Sequence, residues 1–363
     1  MSYQVKIYDR QFNELTTLTT KNFWDLEYRN ILDKPGDASF KMRVRDVKAT
    51  PTNIKLFNRI KIFKDGEFKW IGYITDFKAS LDELEFQCIG ALQLFKERNI
   101  AYATTPGQLL TDEFYKILNI LINNVDDTGI NQGTSTAIST LTNSVVLRDS
   151  DALATFKKLA SFENKVININ QDNELDLVDS IGTDKSNTVI FRFVRDQVAT
   201  ANLLDYNVDV DGKDMANSVF AKIGGIRVNK QDASSIATFG LRHKVLNNLG
   251  STSSGQLDDE AQTYLDNYKQ ELITPEIKPN SLKIDPDSYD YGDTVRVVLD
   301  NGLIAINQKY LIIEKKVKLS AEGVDEVDIK VSPEGSNVLP SNFFEDIAEI
   351  KSRQSLIEGE LLQ

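Results

Sequence analysis

The chain is poor in the residues from which most active sites are built. Its 363 residues include one Cys (Cys88) and one His (His243). A lone Cys can form neither an intrachain disulfide nor a thiolate metal centre, since structural zinc takes about four ligands. A lone His excludes a His-clustered metal site and leaves a Ser-His-Asp arrangement only through His243. No G-x-S-x-G nucleophile elbow accompanies it. Neither a P-loop nor a G-x-G-x-x-G fingerprint occurs, and Gly224-Gly225 follows a strand-like run without a helical pattern after it. Basic charge is also short. Lys and Arg number 42 against 54 Asp and Glu, a net charge of −12. A general nucleic-acid binder needs a cationic surplus to neutralise phosphates, and this chain lacks one. No run approaches the roughly 18 apolar residues of a membrane-spanning helix. The opening MSYQVKIYDRQF has no apolar h-region, so a secretory signal is not expected. What remains, 41% apolar and 26% charged residues, is the composition of a folded globular protein long enough for two to four domains.

Residues 1 to about 100 alternate with period two. Val5 and Ile7, Phe40, Met42 and Val44, Ile60 and Ile62, and Leu84, Phe86 and Cys88 are each flanked by polar neighbours, the mark of antiparallel strands with one wet face. Turn signals separate them at Asp33-Lys34-Pro35-Gly36-Asp37 and at Asp65-Gly66, the latter a hairpin dipeptide. The period changes at Thr105-Pro106-Gly107-Gln108, a capping-box pattern with Pro at the first helical position. Leu110, Phe114, Ile117, Leu118 and Leu121 continue it as a helix. A polar loop or irregular hairpin covers 124–144, and a second helix spans 151–162. Strands follow at 166–169, 174–178, 189–194, 202–210 and 219–228. The polar stretch 228–258 reads as flexible loop, and a third helix spans 258–272. Residues 275–333 return to β, with Val327, Ile329 and Val331 alternating. A last helix covers 341–362. Its apolar positions Phe343, Ile347, Ile350, Ile357 and Leu361 form a short a/d seam, with Gln354 at the skipped position, and are candidate assembly residues. The fold class is α+β, mainly β: two small antiparallel β-barrel modules flank an α/β middle region, with a short C-terminal helix. The expected domains are 1–104, 105–274, 275–335 and a 336–363 linker and helix.

Three motifs invite chemistry. Asn207-Val208-Asp209-Val210-Asp211-Gly212 opens like a calcium loop, but position 12 is Ser218 where a bidentate Glu is needed, so a strand end and turn is the better reading. Asp285, Asp287, Asp290 and Asp293 cluster around Tyr289 and Tyr291. They could serve as paired carboxylates, although clustered loop carboxylates are mostly surface. Cys88 alternates with Leu84 and Phe86 as a small core residue. No catalytic, cofactor-binding or metal-binding residue is assigned, and the chain is read as a non-enzyme without cofactors.

The order of the modules then matters. Gly36-Asp37-Ala38-Ser39-Phe40-Lys41-Met42 comes first. Asn58-Arg59-Ile60-Lys61-Ile62, Ile71-Gly72-Tyr73-Ile74-Thr75-Asp76 and Cys88-Ile89-Gly90-Ala91-Leu92-Gln93-Leu94 follow, leading to Arg98. Asp214-Met215-Ala216-Asn217-Ser218-Val219 and the run Ala233 to Arg242 lie in the middle, and Tyr291-Gly292-Asp293-Thr294-Val295-Arg296-Val297 comes late. In this series the chain resembles the tail hub, or tail-associated (Tal-like), proteins of tailed bacteriophages over about residues 1–335. The resemblance implies a homotrimer whose six β-barrels, two per subunit, form a pseudo-sixfold ring continuing the hexameric tail tube. It implies as partners the distal tail protein, the tail tube protein, the tape measure protein, and tip, spike or fibre receptor-binding proteins. DNA would pass without specific binding, and the location would be the virion after synthesis in the host cytoplasm. The chain ends at Gln363 without the peptidoglycan-cleaving domain of longer relatives, so lytic activity is not carried over.

Two other readings compete. A carbohydrate-binding adhesin would use Trp24, Trp70, Tyr289 and Tyr291 as sugar platforms. A carboxylate-based cell-wall hydrolase would use the 285–293 cluster.

Overall fold

A computed structural model describes residues 2–124, 128–140, 146–161, 163, 165–223, 225–247, 254–320 and 323–333. Two compact units emerge, one built from 1–204 and 278–329, the other centred on 205–277. The expected C-terminal helix and its seam from Phe343 to Leu361 lie outside the described residues.

The first unit begins with β1 (Tyr3–Tyr8), β2 (Glu14–Thr19), β3 (Phe23–Ile31), β4 (Lys34–Arg43), β5 (Arg59–Lys64), β6 (Glu67–Ala79) and β7 (Glu83–Gly90). Their alternating apolar residues are buried as the period required: Val5, Ile7, Phe40, Met42, Ile60, Ile62, Phe86 and Cys88 form the core. Asp65 and Gly66 both take left-handed φ (49° and 89°), so the β5–β6 connection is the expected two-residue hairpin. The β3–β4 turn differs from expectation. Ile31 already pairs with Lys34, so the loop is Leu32-Asp33, with Asp33 at φ 55°, and Pro35 and Gly36 belong to β4. Gly36 is needed there for closeness: a Cβ would sit 1.8 Å from the Arg29 carbonyl oxygen.

The middle of the chain adds α1 (Gln93–Lys96), β8 (Asn99–Ala103), α2 (Leu110–Asn124), β9 (Asn131–Ser135), β10 (Val146–Asp151), α3 (Ala152–Ser161), β11 (Val166–Ile169) and β12 (Glu174–Val178). β8 pairs with β10, and β11 and β9 flank β12. One apolar cluster, including Leu110, Phe114, Ile117, Phe156, Leu159, Ile167 and Leu175, joins these elements to Ile71 and Tyr73 of β6. The helix expected from Thr105 starts at Leu110 instead. Gly107 adopts φ 82°, which an α-helix cannot continue through.

β13 (Ile190–Val194) pairs with a later strand of the same unit, described below. The second unit contributes β14 (Leu203–Asp211), β15 (Ser218–Ile223), β16 (Ile226–Gln231), α4 (Ala233–Phe239), β17 (His243–Asn247), α5 (Ser254–Tyr268) and β18 (Leu272–Pro279). The single strand expected over 219–228 is a hairpin of β15 and β16. The stretch 228–258 expected as loop contains α4 and β17. Asp232 caps α4 by accepting from the Ser235 N–H at 2.9 Å, a signal hidden among polar residues. α5 starts earlier and ends at Tyr268, so Leu272 belongs to β18. Val219, Ala221, Leu257, Ala261 and Leu265 form this unit's core between sheet and helix.

The first unit is completed by β19 (Thr294–Asp300), β20 (Ala305–Leu319) and β21 (Asp325–Pro333). β13 lies parallel to β19, and β20 pairs with both β19 and β3. The mainly β, α+β class therefore holds. Among the described residues no closed barrel is found. The β3–β20 pairing places strands from both ends of the chain in one open sheet path, β20-β3-β4-β7-β6-β5-β1-β2.

Candidate functional site

The segment 285–293 carries four carboxylates in nine residues, and the fold answers each of them. Asp285 caps a single 3-10 turn, Pro286–Ser288, by accepting from the Asp287 N–H at 3.0 Å. Asp287 pairs with Lys64 at the end of β5 and with Lys69 of β6 at 3.4 Å. Lys64 also meets Asp325 of β21 at 2.7 Å, and the Tyr3 hydroxyl donates to Asp325 at 3.0 Å. The side chains of Lys64 and Asp325 are only 2% and 1% exposed. Burial pulls the Lys64 ammonium down, but its two carboxylate partners outweigh it and hold it above its usual value. Burial likewise raises Asp287, and Lys64 and Lys69 reverse that, leaving it below the usual carboxylate range.

Lys315 of β20 enters from the other side. Its ammonium donates to the carbonyls of Pro286 (2.9 Å) and Tyr289 (2.6 Å), lies 3.6 Å from Asp290, and sits over the Tyr289 ring. Desolvation pushes it below the ordinary lysine value. Asp293 accepts from the N–H groups of Thr183 (2.8 Å) and Asp290 (2.7 Å) and pairs with Lys185 at 2.9 Å. The cluster is thus an ionic knot that ties β1, β5, β6, β20 and β21 together. A glycosidase acid would be a carboxyl held protonated beside an unpaired partner. Here Asp287, Asp290 and Asp293 each face a lysine, so the geometry does not favour the hydrolase reading.

The sugar-platform residues are equally committed to packing. Trp70 and Tyr289 are 2% and 1% exposed, and Phe191 meets Tyr289 edge-on. Tyr291 donates its hydroxyl to Asn168 at 3.2 Å. Trp24 on β3 and Tyr291 are half-buried and keep part of their surface open. Cys88 lies in the core, where burial pushes its thiol well above the usual range. Asp211 ends β14 and accepts from the Lys213 N–H at 2.8 Å, the turn expected in place of a calcium loop. His243 opens β17, exposed, with Nδ1 3.1 Å from the Ser218 hydroxyl. No serine–histidine–carboxylate set forms around it among the described residues. No group of three or more His, Cys, Asp or Glu is placed to hold a metal ion, and no helix is long and apolar enough to cross a membrane, again among the described residues.

One titratable contact was invisible in the sequence. A small open cleft lies where the β3–β4 and β6 hairpins meet β11, lined by Asn30, Asp33, Lys69, Trp70, Asn168 and Tyr291 among others. At its edge, Asp33 accepts from the Ile167 N–H at 2.9 Å, and burial lifts its carboxyl to about 6. Arg59 and Lys61 of β5 make comparable contacts nearby, donating to the carbonyls of Thr128 (3.3 Å) and Gln171 (2.7 Å). Single polar contacts therefore seat the middle region on the β layer.

In sequence, no family model and no curated protein matches the chain. In structure it is similar to the 43 kDa tail protein of prophage MuSo2 from Shewanella oneidensis. The TM-score is 0.69 at 14% identity, covering 94% of this chain and 100% of that one. It is also similar to a tail protein from Neisseria meningitidis MC58 (TM-score 0.65, 12% identity, 92% and 97% covered). The prophage tail protein gp18 from Listeria monocytogenes EGD-e is a third (0.62, 11%, 96% and 98%). The chain has the fold of these phage tail proteins.

Proposed function

We propose that this chain is a structural protein of a phage tail, a tail-tip or baseplate hub that adapts the hexameric tube to the distal tip and lets DNA through. One observation carries the reading: the fold likeness runs nearly end to end in both partners, covering 94% of this chain and all of the prophage MuSo2 tail protein. The engaged state of every carboxylate in 285–293 and the burial of Trp70 and Tyr289 support a structural role over a hydrolase or an adhesin.

In this reading three copies form the ring, with modules 1–104 and 275–335 as its six β units. The seam Phe343, Ile347, Ile350, Ile357 and Leu361 adds to the assembly below it. The distal tail, tube and tape measure proteins lie on one side, and tip, spike or fibre proteins on the other. A net charge of −12 per chain, tripled, supports an acidic lumen that would keep phosphates off its wall. Electron microscopy of the purified chain tests the reading. Threefold rings with an acid-lined channel are expected; a basic lumen or a stable monomer overturns it.

A further inference from the structure

The sheet of the second unit has one face under α5 and one face bare. Register fixes which residues share the bare face. Across β15 and β16 the pairs are Ser218 with Gln231, Phe220 with Asn229, and Lys222 with Arg227. Across β15 and β17 they are Ser218 with His243 and Phe220 with Val245. Side-chain contacts confirm the face: both Gln231 and His243 lie 3.1 Å from the Ser218 hydroxyl. Lys222, Arg227, Asn229, Gln231, His243 and Val245 are all exposed.

Two features of this face are unexplained by the isolated chain. Lys222 and Arg227 stand directly opposite each other, and like charges in that position destabilise a strand pair. The sheet's ion pairs are made on the covered face instead, Lys230 with Asp258 at 2.6 Å and Lys244 with Asp214 at 3.9 Å. Arg227 is also held in place, its guanidinium stacked 4.3 Å from the Phe220 ring centre, while the His243 ring lies 5.3 Å from the same ring. A stacked guanidinium keeps its N–H edge free for a carboxylate and loses little freedom on binding one.

The complementary surface is in the same unit. β14 ends its sheet, and Asp205, Asn207 and Asp209 occupy alternate positions along it, all exposed. Alternate residues of a strand recur about every 7 Å, the same repeat that separates Arg227, Asn229 and Gln231 on β16. Acid, amide, acid on β14 matches His243 with Gln231, then Asn229, then the Lys222–Arg227 pair.

We propose that the bare face of β16-β15-β17 receives β14 of a second copy of this chain. Asp209 bridges Lys222 and Arg227, Asn207 meets Asn229, and Asp205 meets His243 and Gln231. The two patches differ, so the contact is head-to-tail, and three copies related by a threefold rotation close it into a ring. This rests on the trimeric reading above, and deepens it by naming the surfaces that meet.

The test is light scattering and sedimentation of the full chain over a micromolar concentration series, with Arg227→Asp, Asp209→Arg and the double variant. Each residue is exposed, and circular dichroism verifies that the variants fold. Each single reversal is expected to weaken assembly by about tenfold or more, and the double variant to restore it. Trimers that ignore Arg227→Asp, or a double variant no better than the singles, overturn this interface and leave the trimer standing. A wild-type chain that stays monomeric overturns both.

Discussion

Asp33, partly buried, and Lys64, fully buried, show how differently two desolvated charges behave. Asp33 is raised to about 6, above the roughly 3.9 of an unfolded aspartate, so the folded protein binds its proton more tightly. Stability from this group is present below about pH 4 and is lost as pH rises toward 6. Asp33→Asn keeps an acceptor for the Ile167 N–H and tolerates the left-handed backbone. It is expected to stabilise the protein at pH 7 by up to about 3 kcal/mol and to remove this part of the pH slope. Urea unfolding at pH 4.5 and 7 measures both; an unchanged slope would contradict the assignment. Lys64 is the opposite case, because its carboxylate partner Asp325 is as buried as it is. Among the described residues Lys64→Met leaves the Asp325 carboxylate with the Tyr3 hydroxyl as its remaining partner, at a cost of about 3–5 kcal/mol. Adding Asp325→Asn, which removes the stranded charge, should recover part of that loss in the same denaturant titration.

At the scale of elements, β6 and β7 depend on closeness as much as on apolar burial. A Cβ on Gly72 would lie 2.1 Å from the Ile89 carbonyl oxygen, which is backbone and cannot yield. Gly72→Ala is therefore expected to cost several kcal/mol, read as a large fall in the unfolding midpoint. Gly66→Ala, with open space around it and φ 89°, should cost only about 1–2 kcal/mol. These elements also show what the sequence made legible. The strands around Val5, Phe40, Ile60 and Phe86, the hairpin at Asp65-Gly66 and the short strands at 166–169 and 174–178 all follow from period two and turn chemistry. Local pattern misplaced the start of α2, because a capping-box spelling at Thr105 competes with Gly107, whose backbone goes left-handed. It missed β17 and α4 because exposed strands and short capped helices have polar sequences. The charge cluster at 285–293 was visible, but its partners Lys64, Lys69 and Lys315 are remote in sequence. No spacing rule could have shown that the cluster is neutralised. Asp33 was hidden for the same reason: its burial is supplied by a segment more than a hundred positions away.

At the scale of the whole molecule, the proposed seam is expected to add to the trimer contact. Ile347→Asp with Ile350→Asp is expected to leave the fold of 1–333 intact by circular dichroism, while lowering the trimer fraction in light scattering. An unchanged trimer would remove the seam from the assembly account. The pairing of β3 with β20 has a further consequence, for synthesis. Tyr28 finds its neighbour Val317 only after the 288 residues between them have been synthesised. At about 5–20 residues per second, the β3 edge stays unpaired for tens of seconds. Glu27 and Arg29 place charge along that edge, the kind of residue that discourages a nascent chain from pairing with another before β20 arrives.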